Sequence, residues 1–308
     1  MDKTPGSKEQ EIPVADPMQT LKAMKRKSDF FVGIDSDGCA FDSMEIKHKE
    51  CFIPNIVNYW DMQAISRFAR EAAEFVNLYS EWRGINRFPA LLMVFDLCAE
   101  RPECVERGYT APPVDSLRKW VKEETRLGNP ALEAKAAATR DGVLARTLEW
   151  SKAVNETIER IVRNVPPFPH VRPGLRRLQE VADVVVVSAT PGEALEREWR
   201  EHDIARYARM ICGQEMGSKK EHLQYGAGGK YDAEKVLMIG DAPGDLKAAK
   251  ANGILFYPVN PGREEASWQR FHDEALDAFL DGRYAGGYEK KLIEEFMTYL
   301  PSTPPWKS

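Results

Sequence analysis

Two hydrophobic rhythms divide the chain. Continuous apolar runs at Phe30-Phe31-Val32-Gly33-Ile34, Val184-Val185-Val186-Val187 and Val236-Leu237-Met238-Ile239-Gly240 read as strands buried on both faces, the pattern of a parallel sheet. Shorter runs near 208–212 and 253–257 predict two more strands, while a helix over 174–180 leads into the strand at 184–187 and another over 193–203 follows it. Strand and helix alternating in this way imply an α/β fold with a doubly wound parallel sheet.

The other rhythm occupies the stretch between the first strand and the second. Ile65, Phe68, Ala69, Ala72, Phe75, Val76, Tyr79 and Trp82 recur at three- and four-residue steps, the mark of an amphipathic helix. Leu144, Leu148, Val154, Ile158, Ile161 and Val162 mark another. Residues 46–165 therefore read as an all-helical insertion, closed by the Pro166-Pro167-Phe168-Pro169 cluster as a return linker. The α/β body is expected over 21–45 and 166–258, after a flexible segment 1–20. Residues 259–308 form an extension whose Trp268, Phe271, Leu276 and Phe279 are expected to pack on that body.

The candidate chemistry lies at the strand ends. The first strand runs into Asp35-Ser36-Asp37-Gly38, and the strand at 236–240 runs into Asp241-Ala242-Pro243-Gly244-Asp245. Ligands of open α/β sheets gather outside the carboxyl ends of the strands, so two acidic ends suggest one shared cation. The strand at 184–187 ends in Ser188-Ala189-Thr190, and Lys219-Lys220 follows before the last acidic end. Each signal alone also has a plainer reading: Asp and Ser cap helices and turns, and paired lysines are commonly a solvated surface. It is their agreement in type, order and strand context that points to a site.

Taken together these residues resemble the four motifs of the haloacid dehalogenase superfamily of phosphohydrolases. The resemblance covers about 28–45 and 166–258. The first motif, Asp-x-Asp-Gly-Thr or Val, has Cys39 at its last position here. Ser188 matches the second, Lys219 or Lys220 the third, and Gly240, Asp241 and Asp245 the fourth. Of the two lysines Lys219 is favoured, because its spacing to Leu223 fits a helix start. The resemblance implies a Mg²⁺-dependent attack on phosphorus through a phosphoaspartyl intermediate, with the helical insertion as a cap that selects the substrate.

The residue chemistry supports those roles one by one. Asp35 is the candidate nucleophile, since a covalent intermediate divides one difficult displacement into two easier ones. Asp37, one strand period on, is the candidate acid/base. Mg²⁺ takes hard oxygen ligands and keeps several waters, so Asp35 and Asp241 are the expected direct ligands, with the Asp37 carbonyl and support from Asp245. Ser188, the amide of Ala189 and a lysine would hold the phosphoryl oxygens. In the insertion, Arg83 and Arg87 flank Gly84-Ile85-Asn86 and are candidates for a remote anionic group of the substrate. Lys47 and His48 are further candidates of that kind.

Composition narrows the partners. A net charge of −5 without basic–aromatic clusters argues against nucleic acid. Five cysteines without a Cys-x-x-Cys spacing argue for a reducing compartment and against a zinc site. No long apolar segment or signal-peptide centre occurs, so the expected location is cytoplasmic. Gly226-Ala227-Gly228-Gly229-Lys230 is set aside as a P-loop because Tyr231 follows the lysine and the loop precedes its strand. Asn155-Glu156-Thr157 is set aside as a glycosylation site because it falls in a predicted helix, and Ser188 lacks a nucleophile elbow. The expected activity is a phosphatase on a small phosphorylated metabolite. The alternatives are a sugar phosphomutase resembling beta-phosphoglucomutase and a non-catalytic binding protein that keeps the fold.

Overall fold

The computed structural model describes residues 17–307. Five parallel strands, β1 (Phe30–Ile34), β2 (Ala182–Val187), β3 (Met210–Cys212), β4 (Val236–Gly240) and β5 (Leu255–Pro258), form one sheet in the order β3-β2-β1-β4-β5. The chain builds outward from β1 to β3, then crosses back to build β4 and β5 on the other side. That reversal opens a crevice at the carboxyl ends of the central strands, where α/β sheets bind ligands.

Side chains alternate between the sheet faces, and each face has its own core. Val32, Ile34, Val184, Val186, Leu237 and Ile239 face a layer built from Leu175, Trp199, Trp268 and Phe271. Phe31, Val185, Val187, Met238 and Phe256 face the opposite layer, which includes Leu21, Leu223, Leu246 and Phe296. The predicted helices appear as Val171–Val181 and Gly192–Glu201. Residues 17–20, expected to be flexible, belong to the helix Pro17–Ala23, because Leu21 and Met24 find a place in the second core; residues 1–16 lie outside the described part.

The insertion is helical and has a separate core of Trp60, Phe68, Phe75, Phe88, Phe95, Trp120 and Trp150. Helical segments Ser43–Ile46, Lys47–Phe52 and Ile53–Tyr59 continue one into the next, the middle one wound as a π-helix. The helix expected through Trp82 ends earlier, as Ser66–Leu78. Trp82 stays in the lobe's core from a turn beyond it, 5.9 Å from Phe75. The next helix, Arg87–Ala99, starts under Asn86, whose side chain accepts from Phe88 N. Among the described residues no helix is long and apolar enough to cross a membrane.

The C-terminal extension does more than pack on the sheet. Trp268, Phe271, Leu276 and Phe279 are buried in the first layer as expected, and Phe296 of the helix Gly287–Thr298 packs 5.9 Å from Phe256. The last turns then reach the helical lobe: Trp306 lies 5.8 Å from Phe75 and under the Arg101 guanidinium, and Lys307 pairs with Glu100 at 2.5 Å. The strongest single anchor is Trp268, fully buried, with Nε1 donating to Cys39 O at 2.7 Å directly behind the first acidic loop. Trp268→Ala should lower the unfolding free energy by about 3–5 kcal/mol, read from the urea midpoint; a loss below about 1 kcal/mol would mean the extension is not part of the core.

Candidate active site

The strand ends predicted from sequence converge. Asp35, Asp241 and Asp245 are buried, and one carboxylate oxygen from each lies within 4.8 Å of the others. Their placement follows from local sequence. Gly240 permits close approach, since a Cβ there would lie 2.4 Å from Asp245 Cβ. Pro243 opens the helix Pro243–Ala251, and Asp245 in its first turn accepts from Ala242 N at 3.1 Å.

Lys219 is the lysine that enters the site. Ser218 caps the helix Lys219–Ala227 through a reciprocal bond pair with Glu221, which directs the first helical residue inward. Lys219 Nζ lies 2.5 Å from Asp35 Oδ2 and 2.6 Å from Asp245 Oδ1; Lys220 is exposed at the cavity edge. Burial would lower the Lys219 ammonium's pKa, but Asp245 and Asp35 outweigh that and raise it. Burial raises the Asp35 carboxyl despite Lys219. Asp241 is pushed up to about 6, by burial first and with Arg83 opposing.

Arg83 is placed differently from its expected role. It does not line the cavity: its Nε and Nη2 bind Asp241 Oδ2 at 2.7 and 2.6 Å, and Nη1 donates to Leu78 O. The turn after Ser66–Leu78 carries the guanidinium down onto the sheet, leaving no fork for a remote substrate group. Arg87 does line the cavity, stacked over Phe52 at 4.9 Å, with Nη1 donating to Ser151 and Asn155. Those acceptors are neutral, and burial lowers its pKa to about 10.

Asp37 has a separate set of partners. Oδ1 accepts from Lys47 Nζ at 2.5 Å and from Ser43 Oγ, and Oδ2 accepts from Thr190 Oγ1 at 2.7 Å. Burial pushes the carboxyl up, but Lys47 and these hydrogen bonds win and hold it at about 2. Lys47 also lies 3.6 Å from Glu198 Oε1. Ser188 is buried, and Ser188, Ala189 and Thr190 line the cavity, which has a volume of 1170 Å³. Its opposite wall carries His48, Phe52, Phe88 and Ile158 from the helical lobe.

Ser43, Thr190 and Glu198 were not singled out by sequence reasoning. Thr190 could have been, as the second hydroxyl of the same strand end. Ser43 and Glu198 carry no sequence signal, since only the packing of two helices brings them to Asp37 and Lys47.

The acidic triad suits a hard divalent cation. Asp241 Oδ1 is buried without a hydrogen-bond partner, while every other oxygen of the three carboxylates has a donor. An unpaired buried carboxylate oxygen among hard oxygen donors is the setting Mg²⁺ prefers.

The parallel sheet thus carries carboxylates on two strand ends and a hydroxyl on a third, in the order read from the sequence. The family model for haloacid dehalogenase-like hydrolases matches residues 122–259, which contain Ser188, Lys219, Asp241 and Asp245. Over those residues, which make up less than half of the chain, the protein is similar to haloacid dehalogenase-like hydrolases. Asp35 and Asp37 precede the matched region. No curated protein matches the sequence. Among solved structures, a haloacid dehalogenase-like family hydrolase from Streptococcus pneumoniae is similar at 13% identity and TM-score 0.44, covering 80% of this chain and 91% of that one. A predicted phosphatase from Clostridium acetobutylicum is similar at 13% identity and TM-score 0.43, covering 87% and 100%. A predicted phosphoglycolate phosphatase from Haemophilus somnus is similar at 15% identity and TM-score 0.38, covering 76% and 86%.

Glu198 offers a test of these electrostatics. Burial raises its carboxyl to about 7, with Lys47 opposing. Between an unfolded value near 4.5 and the folded one, the native state holds the extra proton, so its stabilising effect is full below the lower value and lost as pH rises through about 7. Glu198→Gln should therefore flatten the fall in stability between pH 5 and 7.5 by about 1–3 kcal/mol, measured by urea unfolding at each pH; an unchanged slope would contradict the assignment.

Proposed function

We propose that the protein is a Mg²⁺-dependent phosphatase of a small phosphorylated metabolite, acting through a phosphoaspartyl intermediate on Asp35. The observation that carries this is the junction of Asp35, Lys219 and Asp241 in the lining of a cavity that Ser188 and Ala189 also line, with Asp245 buried behind them on Lys219. Asp35, Asp241 and Asp245 would hold Mg²⁺, which when bound offsets charge on the phosphoryl oxygens. Asp35 attacks phosphorus, and the ester oxygen departs with a proton. Water then attacks the phosphoaspartate and releases inorganic phosphate.

Asp37 fits both proton transfers in different settings. Paired with Lys47 it is a carboxylate, suited to taking the proton of the attacking water. To protonate a leaving alkoxide it must first take up a proton from water, which it does where a movement of the helical cap has parted it from Lys47, before the cap closes over the substrate. Lys219, Ser188 and the Ala189 amide supply fixed donors to the transferring group. Arg87, a cation with neutral partners in the cavity wall, is the residue left to receive a second anionic group of the substrate.

A panel of phosphorylated metabolites, assayed for phosphate release with and without Mg²⁺, tests the reading; isomeric sugar phosphate without release would instead mean a mutase. Asp35→Asn should reduce turnover by at least about 10³-fold with the fold retained by circular dichroism. Near-normal turnover would refute Asp35 as nucleophile. Arg87→Ala should raise KM for the preferred metabolite about tenfold or more, while an aryl phosphate is turned over as before. Parallel loss of both activities would make Arg87 structural.

A further inference from the structure

Three buried carboxylates are opposed by two cations of different origin. Lys219 belongs to the α/β body and bridges Asp35 to Asp245. Arg83 belongs to the helical cap and is paired with Asp241, with both side chains about 2% exposed. The loops are shaped for this contact. A Cβ on Gly38 would lie 2.5 Å from Arg83 Nη2 and 2.5 Å from Asp241 Oδ2, and one on Gly84 would lie 3.0 Å from Ala242 Cβ. A second cap cation, Lys47, is paired with Asp37 beside it.

Charge balance limits which cations can share this place. With all three carboxylates ionised, as a bound cation requires, Lys219 and Arg83 leave one net negative charge. A divalent cation added to both would invert the sign in a buried site, whereas one that takes the place of Arg83 leaves the site neutral. A phosphoryl group then adds up to two negative charges, and Arg83 can return without reversing the sign. Buried charge without compensation is costly, so the balanced arrangements are favoured at each stage.

We infer that Arg83 and Mg²⁺ are alternative counter-charges for Asp241, so that metal loading loosens the cap and arrival of the phosphoryl group draws it back. The inference rests on the phosphatase reading for its metal and its phosphate. Arg83 yields and Lys219 does not, because Lys219 is held by two carboxylates of its own domain while Arg83 reaches across from another. Loosening also carries Lys47 away from Asp37, whose two oxygens are otherwise both engaged. The cap thus opens when the site is loaded for substrate and closes over the bound phosphoryl group.

Calorimetric titration of MgCl₂ into full-length wild type and Arg83→Met, without substrate, tests the competition. The variant should bind Mg²⁺ about tenfold more tightly or better, the scale of one removed charge at close range. Equal or weaker binding overturns the inference and leaves the phosphatase reading standing, whereas no Mg²⁺ binding by wild type overturns both. Should Arg83→Met fail to fold, wild-type amide exchange decides. Mg²⁺ alone should speed exchange in residues 79–86, and Mg²⁺ with inorganic phosphate should slow it again. Exchange that Mg²⁺ leaves unchanged or slows overturns the inference.

Discussion

Like charge crowded at the carboxyl ends of adjacent parallel strands is the constraint on which this structure turns. Asp35, Asp241 and Asp245 lie with carboxylate oxygens within 4.8 Å of one another, in a place where burial raises the Asp35 and Asp241 carboxyls. Lys219 and Arg83 make the arrangement tenable, and their origins tie three parts of the chain to one point. The helix cap at Ser218, the glycines at 38 and 240 and the turn that carries Arg83 all serve that packing.

The rest of the molecule keeps the two lobes in register around this point. The sheet has a core on each face, and Trp268 of the C-terminal extension braces the first acidic loop from behind through its bond to Cys39 O. The helical lobe has its own core and meets the body through charged contacts at the site, Arg83 to Asp241 and Lys47 to Asp37. Trp306 and Lys307 add a tie outside the site, where the end of the extension lies on the lobe. The lobe is thus tied to the body by ion pairs at the carboxylates and by aromatic packing away from them.

Much of the site was legible in the sequence because strand ends leave a local signature. An apolar run stopping at a carboxylate or hydroxyl reports both the element and the direction its last side chain faces, so Asp35, Asp37, Ser188, Asp241 and Asp245 could be placed without coordinates. Lys219 was separable from Lys220 by helix spacing, and the Ser218 cap is the physical basis of that difference. The residues of the cap were not legible in the same way. Arg83 and Arg87 look alike in sequence, four residues apart around a glycine, yet one neutralises Asp241 and the other lines the cavity. The angle at which the lobe docks decides between them, and no periodicity encodes that angle.

The sequence by itself determined the α/β sheet, the helical insertion and the carboxylates at the strand ends, since these follow from hydrophobic period and from short spacings along one element. Tertiary structure alone decided that Arg83 faces Asp241, that Lys47, Ser43 and Thr190 surround Asp37, and that Trp306 returns to the helical lobe. Each of those contacts joins residues from separate elements whose relative positions are set by the packing of whole cores, a property of all the side chains together and of no single segment.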